Sequence, residues 1–184
     1  VTDNIAIGRY ALSSTSDAAQ VGTIAIGFRS FGAINHTDAA GSIAIGHYAA
    51  SCITDGAKNL AIGYTALQVH TTGDNNIAIG YGAMNDTDAG STSAGSIDNI
   101  FIGVDTGGGT WANAASNYNV AIGNQAMGLG GGSKNPSHNV AIGYAAMKNY
   151  NQNGDGNNCV VGDEVAGSLT TGVNNTLIGT AANA

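Results

Sequence analysis

The chain has 184 residues, 9% of them charged, and a formal net charge of −7 with only five Lys or Arg. That balance argues against a nucleic-acid partner, because phosphate binding needs clustered cations. A hydrophobic content of 43% held in strict register argues against disorder.

The first predicted element is the phrase NIAIG at 4–8, and variants of it return along the whole chain: TIAIG at 23–27, SIAIG at 42–46, NLAIG at 59–63, NIAIG at 76–80, NIFIG at 99–103, NVAIG at 119–123 and 139–143, NCVVG at 158–162 and NTLIG at 175–179. The closing glycines are Gly8, Gly27, Gly46, Gly63, Gly80, Gly103, Gly123, Gly143, Gly162 and Gly179, separated by 17 to 23 residues. A short β-branched run closed by glycine at that spacing leaves no room for a long helix of 3.6-residue period and reads as one strand per repeat. Strands that are the same coil returned must stack in parallel, so the fold class expected is all-β, a parallel β-solenoid of about ten coils forming a single repeat domain over 1–184. The pattern begins and ends within repeats, which suggests part of a longer fibre protein.

Alternate residues of a strand face opposite ways. In each phrase the outer positions are Ile or a relative, and the middle position is Ala6, Ala25, Ala44, Ala61, Ala78, Phe101, Ala121, Ala141, Val160 or Leu177. With the larger aliphatics assigned to the inside, the Ala column makes a flat apolar stripe outside, and a contiguous stripe of that kind marks an interface. A homo-oligomer built on the Ala column is therefore expected, with three chains about an axis preferred. Asn precedes eight of the ten strands, with Thr23 and Ser42 at the other two, and suits a turn or a coil-to-coil ladder. The glycine marks a corner where a positive φ or a close approach excludes a Cβ. A second strand is expected after the corner, with a small-residue column of Ala11, Ala49, Ala66, Ala83, Ala126 and Ala146 and, one position further on, a column holding Leu12, Phe31, Leu67, Met84, Met127 and Met147. Every methionine lies in that column and reads as core filler. Cys159, in a column otherwise held by Ile, reads as a buried hydrophobe.

The phrases NIAIGYGAM, NVAIGYAAM and NLAIGYTAL resemble the head repeats of trimeric autotransporter adhesins, which are similar to repeats in phage tail fibres and related fibre proteins that carry a C-terminal intramolecular chaperone. The resemblance runs from about Asn4 to Gly179. It implies a left-handed β-roll, a homotrimer, an extracellular place on a cell-surface fibre or virion tail fibre, and surface recognition without catalysis. The uneven repeat lengths favour the fibre-type relatives, whose turns carry loops.

The longest insertions are 85–98, 104–118, 128–138 and 148–158. Loops of successive coils line up, which is how repeat proteins build extended binding surfaces. Trp111, Tyr118 and Tyr150 offer rings for stacking against a sugar or anchoring a partner, and Asp105, Asn113, Asn117, Asn151 and Asp155 offer hydrogen bonds beside them. Each of these polar residues is also an ordinary turn residue, and Trp111 can equally pin its own loop. The function expected is a non-enzymatic fibre or adhesin module that recognises a host or prey cell-surface glycan or envelope component. A pure shaft spacer is the main alternative, and a polysaccharide-degrading tailspike a lesser one. For catalysis, Asp163 and Glu164 are adjacent and point apart, Asp86, Asp88, Asp98 and Asp105 are near only by loop, and no G-x-S-x-G elbow occurs. No cofactor and no metal are expected: the acidic loop near 154–158 lacks the alternating acids of a calcium site, and the two cysteines, 107 positions apart, fit neither a zinc spacing nor a disulfide framework. No run of about 18 apolar residues suggests membrane insertion, and Thr recurs in no single column, which argues against ice binding.

Overall fold

The computed structural model describes residues 3–13, 21–33, 40–85, 95–108, 115–128, 136–150, 154–169 and 171–182. Their regular elements are all strands: β1 (Ile5–Ile7), β2 (Ile24–Ile26), β3 (Ile43–Ile45), β4 (Leu60–Ile62), β5 (Ile77–Ile79), β6 (Ile100–Ile102), β7 (Val120–Ile122), β8 (Pro136–Ser137), β9 (Val140–Ile142), β10 (Gly154–Asp155), β11 (Cys159–Val161) and β12 (Thr176–Ile178). Ten of them form one parallel sheet in the order β1-β2-β3-β4-β5-β6-β7-β9-β11-β12, and β10 pairs with β8 in a second, two-stranded sheet. Pairing is column on column throughout, as in Ile5↔Ile24 and Ala6↔Ala25 at one end and Val160↔Leu177 at the other. This is a parallel β-solenoid. A third side closes each connection from β3 onward, at 53–57, 69–74, 95–97, 115–117, 136–138, 154–156 and 171–173, so the described residues make about seven turns of solenoid, against the ten coils expected. Among the described residues no helix is long and apolar enough to cross a membrane.

The alternation within each strand is as expected, but its sense is reversed. Ala25, Ala44, Ala61, Ala78, Phe101, Ala121, Ala141 and Val160 are fully buried within the single chain, and Leu177 nearly so. Ala6 lies on the same inward face, in the edge strand of the sheet, and is exposed. The flanking Ile columns face outward, with Ile7 58% and Ile122 37% exposed. The Ala column therefore cannot be the interface between chains. The physical reason is width. Tight coils pack the middle strand residue directly against the side chains beyond the corner, and branched side chains in both columns would overpack so thin a core. The sixth coil shows this compensation: where Phe101 replaces Ala, Gly107 stands where most other coils carry Leu, Met or Phe, and a Cβ there would lie 2.6 Å from the Phe101 ring. Cys159 follows the Ile column outward and is half-buried, so its reading as a core residue is corrected as well.

Beyond the corner there is no second strand. Residues such as 64–67 and 124–127 form turns, because two positions there, two and four residues after the corner glycine, are left-handed in coil after coil, as at Thr65 (φ 54°) and Leu67 (φ 54°). A third left-handed position stands two residues before each strand, as at Asp98 (φ 57°) and Tyr118 (φ 59°). Each such residue costs about 1–2 kcal/mol, offset by coil-to-coil bonds such as Leu67 N–H to Ala83 O at 2.9 Å. Met84, Met127 and Met147 are fully buried filler, as their column suggested. The corner glycine itself is required twice over: Gly123 has φ 132°, and a Cβ on it would overlap the carbonyl of Gly143 in the next coil.

The Asn column lines the inside next to the Ala column. From Asn76 to Asn175 each Asn donates through Nδ2 to Oδ1 of the Asn one coil earlier, at 3.0 to 3.3 Å, the first acceptor being Asn59. Most also donate to a carbonyl on the third side, as Asn99 does to Ser116 O at 2.8 Å. Buried amides are thereby satisfied by their own copies, and the strand is tied to the side opposite.

Candidate functional site

Three outward features of the solenoid bear on function. The first is the sheet face itself. Its columns consist of Ile, Leu and Val at all strands but the last two, where Cys159 and Thr176 enter, and no charged residue stands among them. Such a face is continuous and apolar, and its side chains are half-buried to exposed in the single chain.

The second is a column directly after the corner glycine. Phe28, His47, Tyr64 and Tyr81 occupy it in four successive coils, and their rings stack. Centroid separations are 5.0 Å for Phe28–His47, 5.2 Å for His47–Tyr64 and 5.4 Å for Tyr64–Tyr81, with planes within 6° to 24°. That spacing is set by the coil rise, which brings equivalent residues of neighbouring coils into stacking range. At the N-terminal end Tyr10 meets Phe28 edge-on at 5.9 Å. Arg9 lies 4.7 Å over the Tyr10 ring and donates to its hydroxyl at 3.0 Å, and Arg29 lies 5.7 Å from the same ring. The sequence reading missed this row, although the column is legible once the residue after each glycine is aligned.

The third joins two of the predicted site residues. Tyr118 and His138 hold the same left-handed corner in successive coils, so their rings stack at 4.8 Å. His138 Nδ1 lies 2.9 Å from Asp155 Oδ1 in the next coil, where β10 pairs with β8. All three are exposed. The arrangement presents a ring face, an imidazole edge and a carboxylate side by side, a set suited to polyhydroxylated ligands.

The other predicted residues are not gathered there. Tyr150 is fully buried, its hydroxyl donating to Gly172 O at 2.7 Å and accepting from Asn158 Nδ2 at 3.0 Å, and burial pushes its pKa up. It shares an inward column with Ile53, His70 and Leu169, seven residues after each corner glycine, so it is a core residue and not a binding ring. Asn117 staples coils: its Oδ1 accepts from Ile97 N–H at 2.9 Å and its N–H donates to Ser137 Oγ at 3.1 Å. Asp105 is exposed, on the side beyond the corner and apart from the Tyr118 corner. Trp111, Asn113 and Asn151 lie outside the described residues. Among the described residues no three His, Cys, Asp or Glu side chains gather as a metal site would require.

In comparisons with protein-family profiles, curated proteins and solved structures, nothing matches this chain.

Proposed function

We propose that the chain is a non-enzymatic module of a homotrimeric extracellular fibre, cell-surface or virion-borne, which holds recognition elements away from the surface that carries it. The carrying observation is the uncharged Ile face running the length of the ten-stranded sheet. Its occupant is further copies of the same chain: the face repeats in the same register at every coil, so copies can match strand for strand along its length. The resemblance of the NxAIG phrases to trimeric adhesin heads supports three copies and a left-handed roll. Recognition of a cell-surface glycan or envelope component is assigned to the corner Tyr118, His138 and Asp155, together with the Trp111 segment. Asp98 and Asp105 sit at different corners of their coil, which disfavours a glycosidase pair.

A glycan array and a whole-cell binding screen test this reading, with Tyr118→Ala and Trp111→Ala beside the wild type. Binding that weakens in either variant while the oligomer stays intact supports recognition there. Failure of the wild type to bind any glycan or cell favours the spacer reading, to which the burial of Tyr150 already lends weight by removing one of the expected rings.

A further inference from the structure

A groove of about 440 Å³ runs along the side beyond the corner at the N-terminal coils, lined by Tyr10, Ser13, Arg29, Tyr48, Ser51 and Gln68 among others. Four successive coils contribute to it. Tyr10, Arg29 and Tyr48 each stand two residues after the corner glycine of their coils, at left-handed φ of 61°, 53° and 57°, and line the groove from successive coils. Ser51 and Gln68 stand five residues after the glycine of their own coils and line the same groove.

The chemistry of this groove differs from the rest of the surface. The chain is strongly acidic, yet no lining residue of the groove carries a carboxylate. Arg29 has no carboxylate partner among the described residues. Its guanidinium carbon lies 5.7 Å from the Tyr10 ring and 6.0 Å from the Tyr48 ring, so aromatic faces frame the cation among the described residues. Arg9 on Tyr10 adds a second positive charge to the same end. The comparable groove near the C-terminal coils is instructive. At about 260 Å³ it is lined by Tyr144, Lys148 and Glu164, with one charge of each sign, and so lacks any preference for an anion.

We infer that the Tyr10–Arg29–Tyr48 groove binds a carboxylated sugar, with Arg29 pairing the carboxylate and the tyrosine rings meeting the sugar face. A planar guanidinium matches a carboxylate bidentately, and aromatic rings supply the apolar contact that a bare phosphate cannot use. The volume falls within the range of small-ligand sites, roughly 300–1,000 Å³. Ser51 and Gln68 provide hydrogen-bonding groups for ring hydroxyls. This inference rests on the recognition reading and gives it a ligand class, at a site separate from the Tyr118 corner.

The test is calorimetric titration of the whole chain with a tri-galacturonate, with its neutral galactose counterpart and with inorganic phosphate. Saturable binding of the uronate, with the neutral sugar and phosphate each weaker by roughly tenfold or more, is expected. Arg29→Gln should lose that binding, Arg29→Lys should recover part of it, and Tyr48→Ala should weaken it, with melting curves unchanged. Equal binding of neutral and acidic sugar, binding of phosphate alone, or uronate binding unaffected by Arg29→Gln would overturn the inference. Whole-cell binding by the wild type that persists in Arg29→Gln, together with no uronate titration, would overturn the groove alone and leave receptor recognition standing. No binding to cells, glycans or uronate would overturn both.

Discussion

Asn119 donates from Nδ2 to Oδ1 of Asn99 at 3.1 Å, twenty residues earlier in sequence and one coil away in space, and its own backbone N–H reaches the same oxygen at 3.0 Å. One side-chain oxygen thus accepts two bonds from the next coil, while the Asn99 amide donates onward to Asn76 and to Ser116. Replacing an amide by a carboxylate in this row removes the donor and buries a charge. Asn99→Asp is therefore expected to destabilise by at least about 3 kcal/mol at neutral pH, against about 1–3 kcal/mol for Asn99→Ala. Urea midpoints of the two variants check this, and Asn99→Asp should regain stability as acid protonates it.

Glycine is needed at the corner and merely convenient elsewhere. Gly123→Ala places a Cβ against the Gly143 carbonyl at a φ of 132° open essentially to glycine alone, and should cost more than about 3 kcal/mol or block folding. Gly22→Ala has φ 66° and nothing within 4 Å, so the cost should be about 1 kcal/mol, the ordinary left-handed penalty. Thermal melts of the pair measure the difference.

His70 is fully buried, and burial lowers its pKa from 6.5 to about 4, with Asp74 and a hydrogen bond to Ser96 opposing that shift. Between pH 6.5 and 4 the unfolded chain takes up a proton that the folded chain refuses. The contribution is therefore fully present above pH 6.5 and falls away as pH drops toward 4, by about 3 kcal/mol in all. His70→Leu matches the Ile and Leu that other coils carry in this column and should flatten the pH slope relative to the wild type. Denaturation at pH 7.5 and 4.5 on both proteins tests it.

The period of the solenoid was legible in the sequence because glycine punctuates it at every corner, and the methionine column announced itself as core by recurring beside small residues. What alternation in IAI cannot say is which face is inside. Hydrophobicity ranks Ile above Ala for burial, but the coil is too thin for branched residues on both walls, and the space left by Phe101 and Gly107 shows how closely the two columns are matched. Tyr150 looked like a loop ring because the insertion around it hid its column; aligned on the preceding glycine it falls with Ile53 and His70. Asn117 and His138 find their partners about a coil away, beyond what spacing along the chain reveals. The stacked row from Phe28 to Tyr81 needed only one more column to be aligned.

The inward Ala column and outward Ile column carry the whole account, and Ala121 and Ile122 are adjacent residues that separate the two. Ala121→Glu buries a charge and should prevent folding, whereas Ile122→Glu should leave the coil intact and disrupt only association. The decisive measurement is sedimentation equilibrium on the wild type and on Ile122→Glu. A wild-type mass three times the 18.2 kDa chain and a folded variant at 18.2 kDa are expected. A folded wild type that stays at 18.2 kDa at micromolar concentration, or an Ile122→Glu variant that still assembles, would contradict this expectation.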